Sequence, residues 1–192
     1  MGESRECAGE PGSGKPLKVM GFDEARFGLI NWRRRRYCPK GFRPPWVVRR
    51  RYEWTYLYAA VDSMSGESFC SYLPGMDGRC FETFLEHLGE AYQDHHLVLV
   101  LDNAPSHLSK EITHPENVSL LNLPAYSPEL NPVERWFQEF RRALSNKTFE
   151  SVELLQEALT EALAPYWREP TLLQRLTGYS WWVEAVGALG HQ

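Results

Sequence analysis

The stretch that decides the fold is Leu97-Val98-Leu99-Val100-Leu101, or LVLVL, and Asp102 follows it directly. Leucine and valine do not alternate with polar residues here, so neither face of the segment is expected to meet water. A short continuous apolar run is typical of a strand buried on both faces, in the centre of an α/β sheet. The sequence therefore predicts a sheet covered by helices on both sides, with an acidic residue where its central strand ends.

The segments around this strand predict the remaining elements. We expect further strands at 18–22, 53–61, 68–73 and 118–123, and helices near 80–93, from Asn131 onward and over 152–163. The strands at 53–61 and 68–73 flank a turn at 62–66 and therefore predict a hairpin. Residues 166–190 are rich in tryptophan and are expected to pack on the core. Hairpin strands combined with a helical crossover predict an α/β fold, a mixed sheet flanked by helices.

Length and composition limit the class of protein. The chain has 192 residues, of which 43% are hydrophobic, enough for one domain with its own core. Residues 1–17 are rich in glycine, serine and proline, which predicts a flexible N-terminal tail before a single domain over 18–192. No apolar run approaches the roughly 20 residues of a membrane span, so we expect a soluble, cytoplasmic protein. The four cysteines form no CxxC pair, which predicts free thiols.

Positive charge is concentrated in one segment. Residues 26–51 contain ten basic side chains and no acidic one, whereas the rest of the chain has eleven bases against 25 acids. Interspersed prolines and glycines predict an extended loop or hairpin. Such a segment in an acidic chain is typical of a nucleic-acid contact, although a solvated hairpin whose aromatic residues fold onto the core is the alternative. The candidate DNA-contacting residues are Arg33, Arg34, Arg35, Arg36, Arg49, Arg50, Arg51 and, on a later helix, Arg135.

Three carboxylates are predicted to lie where elements begin or end. Asp23 follows the first strand, Asp102 follows the buried strand, and Glu134 lies in the first turn of a helix. If the two strands are neighbours, their aspartates meet at one end of the sheet, where α/β proteins bind their ligands. A cation would offset the repulsion among three carboxylates, and oxygen ligands favour Mg²⁺ or Mn²⁺ over zinc.

Each carboxylate also has a purely structural interpretation. Asp23 is equally explained as a solvated turn residue, and Asp102 as the residue that closes a turn through its own backbone. Glu134 is the third residue after Asn131, the position at which a glutamate completes a capping box. Asp62 is a fourth acidic residue, but its Ser-Met-Ser-Gly context predicts a hairpin turn, so it is left out of the site.

Three motifs favour the metal-binding interpretation. They are Gly21-Phe22-Asp23-Glu24-Ala25-Arg26-Phe27-Gly28, Leu101-Asp102-Asn103-Ala104-Pro105-Ser106-His107 and Leu123-Pro124-Ala125-Tyr126-Ser127-Pro128-Glu129-Leu130-Asn131-Pro132-Val133-Glu134-Arg135-Trp136. In this order, between about Val19 and Leu163, they resemble the catalytic domain of bacterial insertion-sequence transposases of the mariner-like superfamily. The third motif is the most specific of the three. The resemblance implies the ribonuclease-H-like fold of these DDE enzymes, which agrees with the order of elements predicted above.

The resemblance also implies a chemistry. Asp23, Asp102 and Glu134 match the residues that bind two Mg²⁺ or Mn²⁺ ions in this family, which hydrolyses a DNA phosphodiester and joins the freed 3′-OH to target DNA. Asn103 and His107 share the second motif and are candidates for supporting the metal ligands or contacting DNA. For His107 the alternative is a histidine that only caps a turn or helix.

The implied partners are double-stranded DNA, both transposon ends and target, and a second copy of the chain in a homodimer. Relatives carry an N-terminal helix-turn-helix region that reads the transposon ends. About 17 residues precede the first predicted strand here, so we expect that region to be absent from this chain. The implied location is a prokaryotic cytoplasm, in association with DNA.

Two other functions fit parts of the pattern. An inactive or domesticated DNA-binding or assembly protein would keep the fold without the chemistry. A glycosidase with Glu134 as its general acid would use a carboxylate pair and need no metal.

Overall fold

The computed structural model describes residues 14–30, 35, 37–42, 51–104, 107, 112–125 and 127–189. Over these ranges the strands are β1 (Leu17–Gly28), β2 (Trp54–Val61), β3 (Ser68–Leu73), β4 (His96–Leu101) and β5 (Val118–Asn122). The helices are α1 (Gly78–Ala91), α2 (Pro132–Ala143), α3 (Val152–Arg168), α4 (Pro170–Thr177) and α5 (Ser180–Leu189), and a 3₁₀ turn spans Pro128–Leu130. None of the helices in the described part is long and apolar enough to cross a membrane.

The five strands form one mixed sheet in the order β3-β2-β1-β4-β5. The pairs β1–β2 and β2–β3 are antiparallel, whereas β1–β4 and β4–β5 are parallel. Strand β4 has a neighbour on each side. On one face Leu97, Leu99 and Leu101 have no exposed surface, and on the other Val100 is buried and Val98 is half-buried. The prediction of a central buried strand at 97–101, the predicted hairpin and the α/β fold class are therefore confirmed.

Strand β1 is longer than predicted, and this corrects the placement of Asp23. The residue lies in the middle of β1 rather than at its C-terminal end. The strand continues to Gly28 because residues 21–28 pair with β2, whereas its parallel pairing with β4 ends at Gly21. Continuing that register by two residues brings Asp23 level with Asp102. The two aspartates are neighbours, as expected, but they lie where the pairing between β1 and β4 ends and not where β1 itself ends.

Helices cover both faces of the sheet. Successive strand residues point to opposite faces, and β1 places Phe22 against α1 but Ala25 and Phe27 against α2 and α3. By the same alternation Asp23 faces the α2 side and Glu24 the α1 side. Trp136 and Phe137 of α2 are fully buried on their side, which fixes this helix against the sheet.

The C-terminal segment continues the helical layer. Helix α3 extends to Arg168, and α4 and α5 follow where the sequence predicts only a tryptophan-rich tail. Trp182 is 3% exposed and packs on Val19 and Val100, as expected for a segment that packs on the core. Trp167 and Trp181 are 47% and 38% exposed, so for these two the expectation of packing is wrong.

Candidate active site

The three predicted carboxylates lie close enough to influence one another. Burial raises the pKa of Asp23 well above its usual range. The negative charges of Glu134 and Asp102 raise this pKa further, because each disfavours a second charge nearby. Strand β1, the residue after β4 and the first turn of α2 therefore bring Asp23, Asp102 and Glu134 to the same end of the sheet.

Two contacts fix the start of α2 beside β1. The Asn131 side chain donates its amide N–H to the carbonyl oxygen of Phe22 at 2.8 Å, next to Asp23, while its oxygen accepts the backbone N–H of Val133 at 3.2 Å. Gly21 allows the close approach, since a Cβ added there would lie only 2.6 Å from Cγ of Pro132. One residue thus caps the helix and joins it to the strand, which sets the position of Glu134.

Glu134 does not complete a capping box. The backbone N–H of Asn131, which a capping-box glutamate would accept, donates instead to the carbonyl oxygen of Pro128 at 3.0 Å. The Glu134 carboxylate faces the Arg141 guanidinium at 3.4 Å, and its side chain is 34% exposed. The capping interpretation of this residue is therefore wrong.

His107 joins Asp102 to a buried carboxylate that sequence reasoning did not select. Its Nδ1 lies 3.1 Å from Oδ1 of Asp102, and its Nε2 lies 2.8 Å from Oε1 of Glu24. The side chains of His107 and Glu24 are 1% and 3% exposed, whereas that of Asp102 is 54% exposed. His107 thus holds Asp102 on the side that faces the core, the inner side, while the opposite, outer side is exposed and open to a ligand.

The protonation of His107 follows from these neighbours. Burial by itself lowers the pKa of this imidazole, but the hydrogen bond and charge of Glu24 and the charge of Asp102 raise it above its usual value. A protonated imidazole donates from both ring nitrogens, which satisfies both carboxylates. The alternative of a histidine that only caps a turn does not account for the contact with buried Glu24.

Asp102 also fulfils its structural interpretation, since its Oδ1 accepts the backbone N–H of Ala104 at 3.0 Å. Asn103 ties the ends of two strands together. Its amide donates to the carbonyl oxygen of Leu123 at 2.7 Å, and its oxygen accepts from Asn122 at 3.0 Å. Asn103 therefore fixes the chain on which Asp102 stands, and no contact joins it to the other two carboxylates.

The donor set is suited to a hard divalent cation, although its members do not form a closed cage. Within the described ranges, no three His, Cys, Asp or Glu side chains lie close enough together to hold a metal ion. The three candidates and Glu24 supply four carboxylates, whereas the cationic groups of the described residues that contact them are His107 and Arg141. Within the described part of the chain, carboxylates thus outnumber the cations beside them, and oxygen ligands of this kind are those that Mg²⁺ and Mn²⁺ select.

Only part of the predicted DNA-contacting set can be placed. Arg33, Arg34, Arg36, Arg49 and Arg50 lie outside the described residues. Arg35 is exposed, and Arg51 donates to Glu53 at 2.7 Å and to the carbonyl oxygen of Glu150 at 2.6 Å. Arg135 lies on the exposed side of α2, with its guanidinium 5.9 Å from the centre of the Tyr179 ring. Protein partners thus engage Arg51.

Comparison with known proteins identifies the family. Residues 18–156, which include all three candidate carboxylates, match a family described as "DDE superfamily endonuclease". The chain belongs to this family. A curated relative from Sinorhizobium fredii (strain NBRC 101917 / NGR234), "Uncharacterized protein y4pE/y4sA", is 36% identical over 102 residues, which are 52% of this chain and 76% of the relative.

Solved structures agree with the ribonuclease-H-like fold of a DDE transposase catalytic domain. "Crystal structure of the Mos1 Strand Transfer Complex" has a TM-score of 0.62 and 25% identity and matches 82% of this chain and 52% of its own. "Crystal structure of a pre-cleavage Mos1 transpososome" has a TM-score of 0.62 and 23% identity over 90% of this chain and 56% of its own. The DDE superfamily chain thus spans about half the length of these Mos1 structures.

Glu24 is the residue of this site that sequence reasoning missed. An acid that follows Asp23 directly in a strand points to the opposite face and is therefore expected to lie apart from it. The available signal was the pair of motifs, because Glu24 stands in the first and His107 in the second. A buried acid and a buried histidine are each costly alone and favourable as a pair.

Proposed function

We propose that this chain is the catalytic domain of a DNA transposase that cuts DNA and joins the cut end to a target with the help of two divalent metal ions. The proposal is supported by where the candidate acids stand in a DDE superfamily chain. The β1–β4 register leads to Asp23 and Asp102, and Asn131 holds the start of α2, which bears Glu134, beside β1. Similar solved structures support the choice of metal and partner. They include a "mariner Mos1 paired end complex with Mg", one "with Mn", and a paired-end complex "with left transposon end".

Asp23, Asp102 and Glu134 are the residues that would hold the ions. Divalent cations bound there supply Lewis-acid polarisation of the scissile phosphate and neutralise its developing charge. The Asp102 side chain is exposed enough for a cation to reach it, and the Glu134 carboxylate on α2 is partly exposed and can be reached in the same way. In this proposal the same three residues are both the catalytic residues and the metal ligands.

Surrounding residues hold these carboxylates in position. His107, fixed by Glu24, orients Asp102 through a hydrogen bond to its inner oxygen. Asn131 joins α2 to β1 and so holds Glu134 beside Asp23. Rigid support of this kind matters because small displacements of metal ligands reduce affinity and rate.

The basic segment is proposed to bind the phosphates of double-stranded DNA, both transposon ends and target, since Lys and Arg supply the sequence-independent part of DNA affinity. Arg135 is proposed to contact the same DNA beside the carboxylates. A homodimer that holds two ends together is part of the same proposal. Retention of the fold for DNA binding without cleavage is the second candidate, favoured by the absence of a closed metal cage among the described residues.

The decisive experiment measures nicking of supercoiled DNA with Mg²⁺, with Mn²⁺ and with a chelator. We expect metal-dependent nicking that Asp102→Asn abolishes. Asp94→Asn is the matched control, because it makes the same chemical change at an exposed turn away from the site. Cleavage by Asp102→Asn at the wild-type rate would overturn the assignment of the carboxylates. DNA binding without cleavage under any metal condition would favour the second candidate, and cleavage that a chelator does not inhibit would contradict metal catalysis.

A further inference from the structure

Two cavities open on either side of Pro128, and each has one of the candidate metal ligands in its wall. The first measures about 480 Å³ and includes Asp102. The second measures about 420 Å³ and includes Glu134. Both volumes fall within the roughly 300–1,000 Å³ that is usual for small-ligand sites. A DNA strand with a phosphate at the carboxylates therefore has a cavity available for a neighbouring nucleotide on each side.

The second cavity, called the Glu134 groove below, is lined by side chains that suit a nucleobase. Its wall contains Arg135, Gln138 and Tyr179. Bases stack on aromatic rings and on guanidinium planes, and such stacking is tolerant of sequence. The exposed Gln138 amide offers a donor and an acceptor, the combination that pairs with a base edge.

The charges of the groove favour a base over a phosphate. Among the described residues of its wall, Glu129 and Glu134 contribute two carboxylates and Arg135 contributes one guanidinium. That guanidinium lies over the Tyr179 ring, so part of its charge is already engaged. Glu129, which is not among the proposed metal ligands, would repel a phosphate in this groove, whereas an uncharged base is not repelled and its amino groups can donate to the carboxylate.

The C-terminal aromatic residues hold the Tyr179 ring in place. Trp181 stacks on it with ring centres 5.9 Å apart and planes 12° from parallel, and the neighbouring Trp182 is buried in the core. A ring fixed in this way loses little freedom when a base contacts it, which favours binding. This gives the tryptophan-rich C-terminal segment a role beyond packing.

We propose that the Glu134 groove binds an unpaired nucleobase of the DNA strand next to the scissile phosphate, with the base against Tyr179 and Arg135 and its edge toward Gln138. This inference rests on the proposed function, because it takes the scissile phosphate to lie at the carboxylates. It adds a requirement that phosphate binding alone does not have, namely that one nucleotide beside the cut is unstacked from its neighbours.

The test compares two single-stranded oligonucleotides of equal length and charge, one with normal bases and one made of abasic nucleotides. Affinities are measured by fluorescence anisotropy in EDTA, so that no cleavage occurs. We expect Tyr179→Leu to weaken binding of the base-containing strand by roughly 5- to 150-fold, the contribution of one stacked base, and to leave the abasic strand within about two-fold. The slope of log affinity against log salt should not change, because no phosphate contact is removed.

Two further variants make the result decisive. Trp167→Leu is the matched control, since it removes another exposed aromatic ring, one whose indole N–H donates to Ser68 on the far edge of the sheet, and it should bind both strands like the wild type. Gln138 lies on the exposed side of α2. If thermal melting shows that Tyr179→Leu is unfolded, the two affinities of Gln138→Ala test the groove in its place. A loss for the base-containing strand alone supports the groove.

Equal weakening of both strands, or of neither, overturns the proposal, and so does the same selective loss in Trp167→Leu. These outcomes are separate from those of the nicking assay. Base-selective binding in a protein that never cleaves DNA would support the groove and contradict the proposed function. Metal-dependent cleavage without base selectivity would do the reverse.

Discussion

Replacing Gly21 with alanine tests the contact that positions Glu134. The added Cβ would lie 2.6 Å from Cγ and 3.0 Å from Cδ of Pro132, the first residue of α2. Carbon atoms in normal contact are roughly 3.5–4.0 Å apart, so relief of the overlap moves the start of the helix by about 1 Å. Overpacking of this kind costs about 1–3 kcal/mol of unfolding free energy. A displacement of about 1 Å at a catalytic group costs on the order of 100-fold in rate, so we expect cleavage to fall by about that factor.

The assay combines urea unfolding with single-turnover nicking in Mn²⁺. Gly89→Ala, on α1, is the matched control, because its Cβ would lie 2.7 Å from Cγ of Pro115, a similarly close overlap with a proline but away from the carboxylates. This control should lose stability, offset in part by the helix propensity of alanine, which exceeds that of glycine by about 1 kcal/mol, and it should cleave at the wild-type rate. If folded Gly21→Ala cleaves DNA as fast as Gly89→Ala, the position of α2 does not govern the chemistry and the reasoning is refuted.

Three other predictions follow from the structure and the sequence. Lys18 is buried against Asp62, so Lys18→Met should lower the unfolding free energy in urea titrations by roughly 3–5 kcal/mol. Burial alone would raise the pKa of Asp62, but hydrogen bonds, first that from Lys18, hold this pKa below its usual value. The ionised Asp62 carboxylate therefore stabilises the wild type at neutral pH, and this contribution to the unfolding free energy is lost as the pH falls below about 4. Lys18→Met should lose less unfolding free energy over the same pH range. His107→Gln should weaken Mn²⁺ binding, followed by electron paramagnetic resonance of the free ion, by roughly 10- to 100-fold; unchanged affinity would contradict its support of Asp102. Changing the arginines at 33–36 to glutamine should reduce the salt slope of duplex DNA binding by about 0.9 for each one that contacts a phosphate, and an unchanged slope would remove this segment from the interface.

The sheet could be predicted because its signals are local. A run such as 97–101 has no polar residue to expose, and its short length and β-branched valines favour a buried strand over a buried helix. Helix α1 shows the helical spacing of its buried residues just as directly. The length of β1 could not be predicted in this way. It depends on pairing with β2, and the register between two strands is a property of the assembled sheet rather than of either segment.

The acids of the candidate site could be proposed from the sequence, whereas the residues that hold them in position could not. Asp23, Asp102 and Glu134 stand in motifs whose order is informative, whereas the roles of Asn131 and Glu24 depend on contacts between distant segments. Asn131 is a helix cap in any local interpretation, and its hydrogen bond to β1 becomes evident only in the folded chain. The alternative interpretation of Glu134 as part of a capping box is wrong for the same reason, since the backbone N–H that a capping box requires donates to the preceding 3₁₀ turn.

The hydrogen bond between Asn131 and Phe22 joins residues 109 positions apart, and this has a consequence for the order of events during synthesis. Asp23 leaves the ribosome early, but the helix that brings Glu134 to it emerges only after the whole sheet has been translated. Contacts between such distant residues also form late in folding, because closure of the long loop must precede them. An incomplete chain that stops before α2 therefore has two of the three acids, and under the proposed function it lacks the residue that completes the metal site.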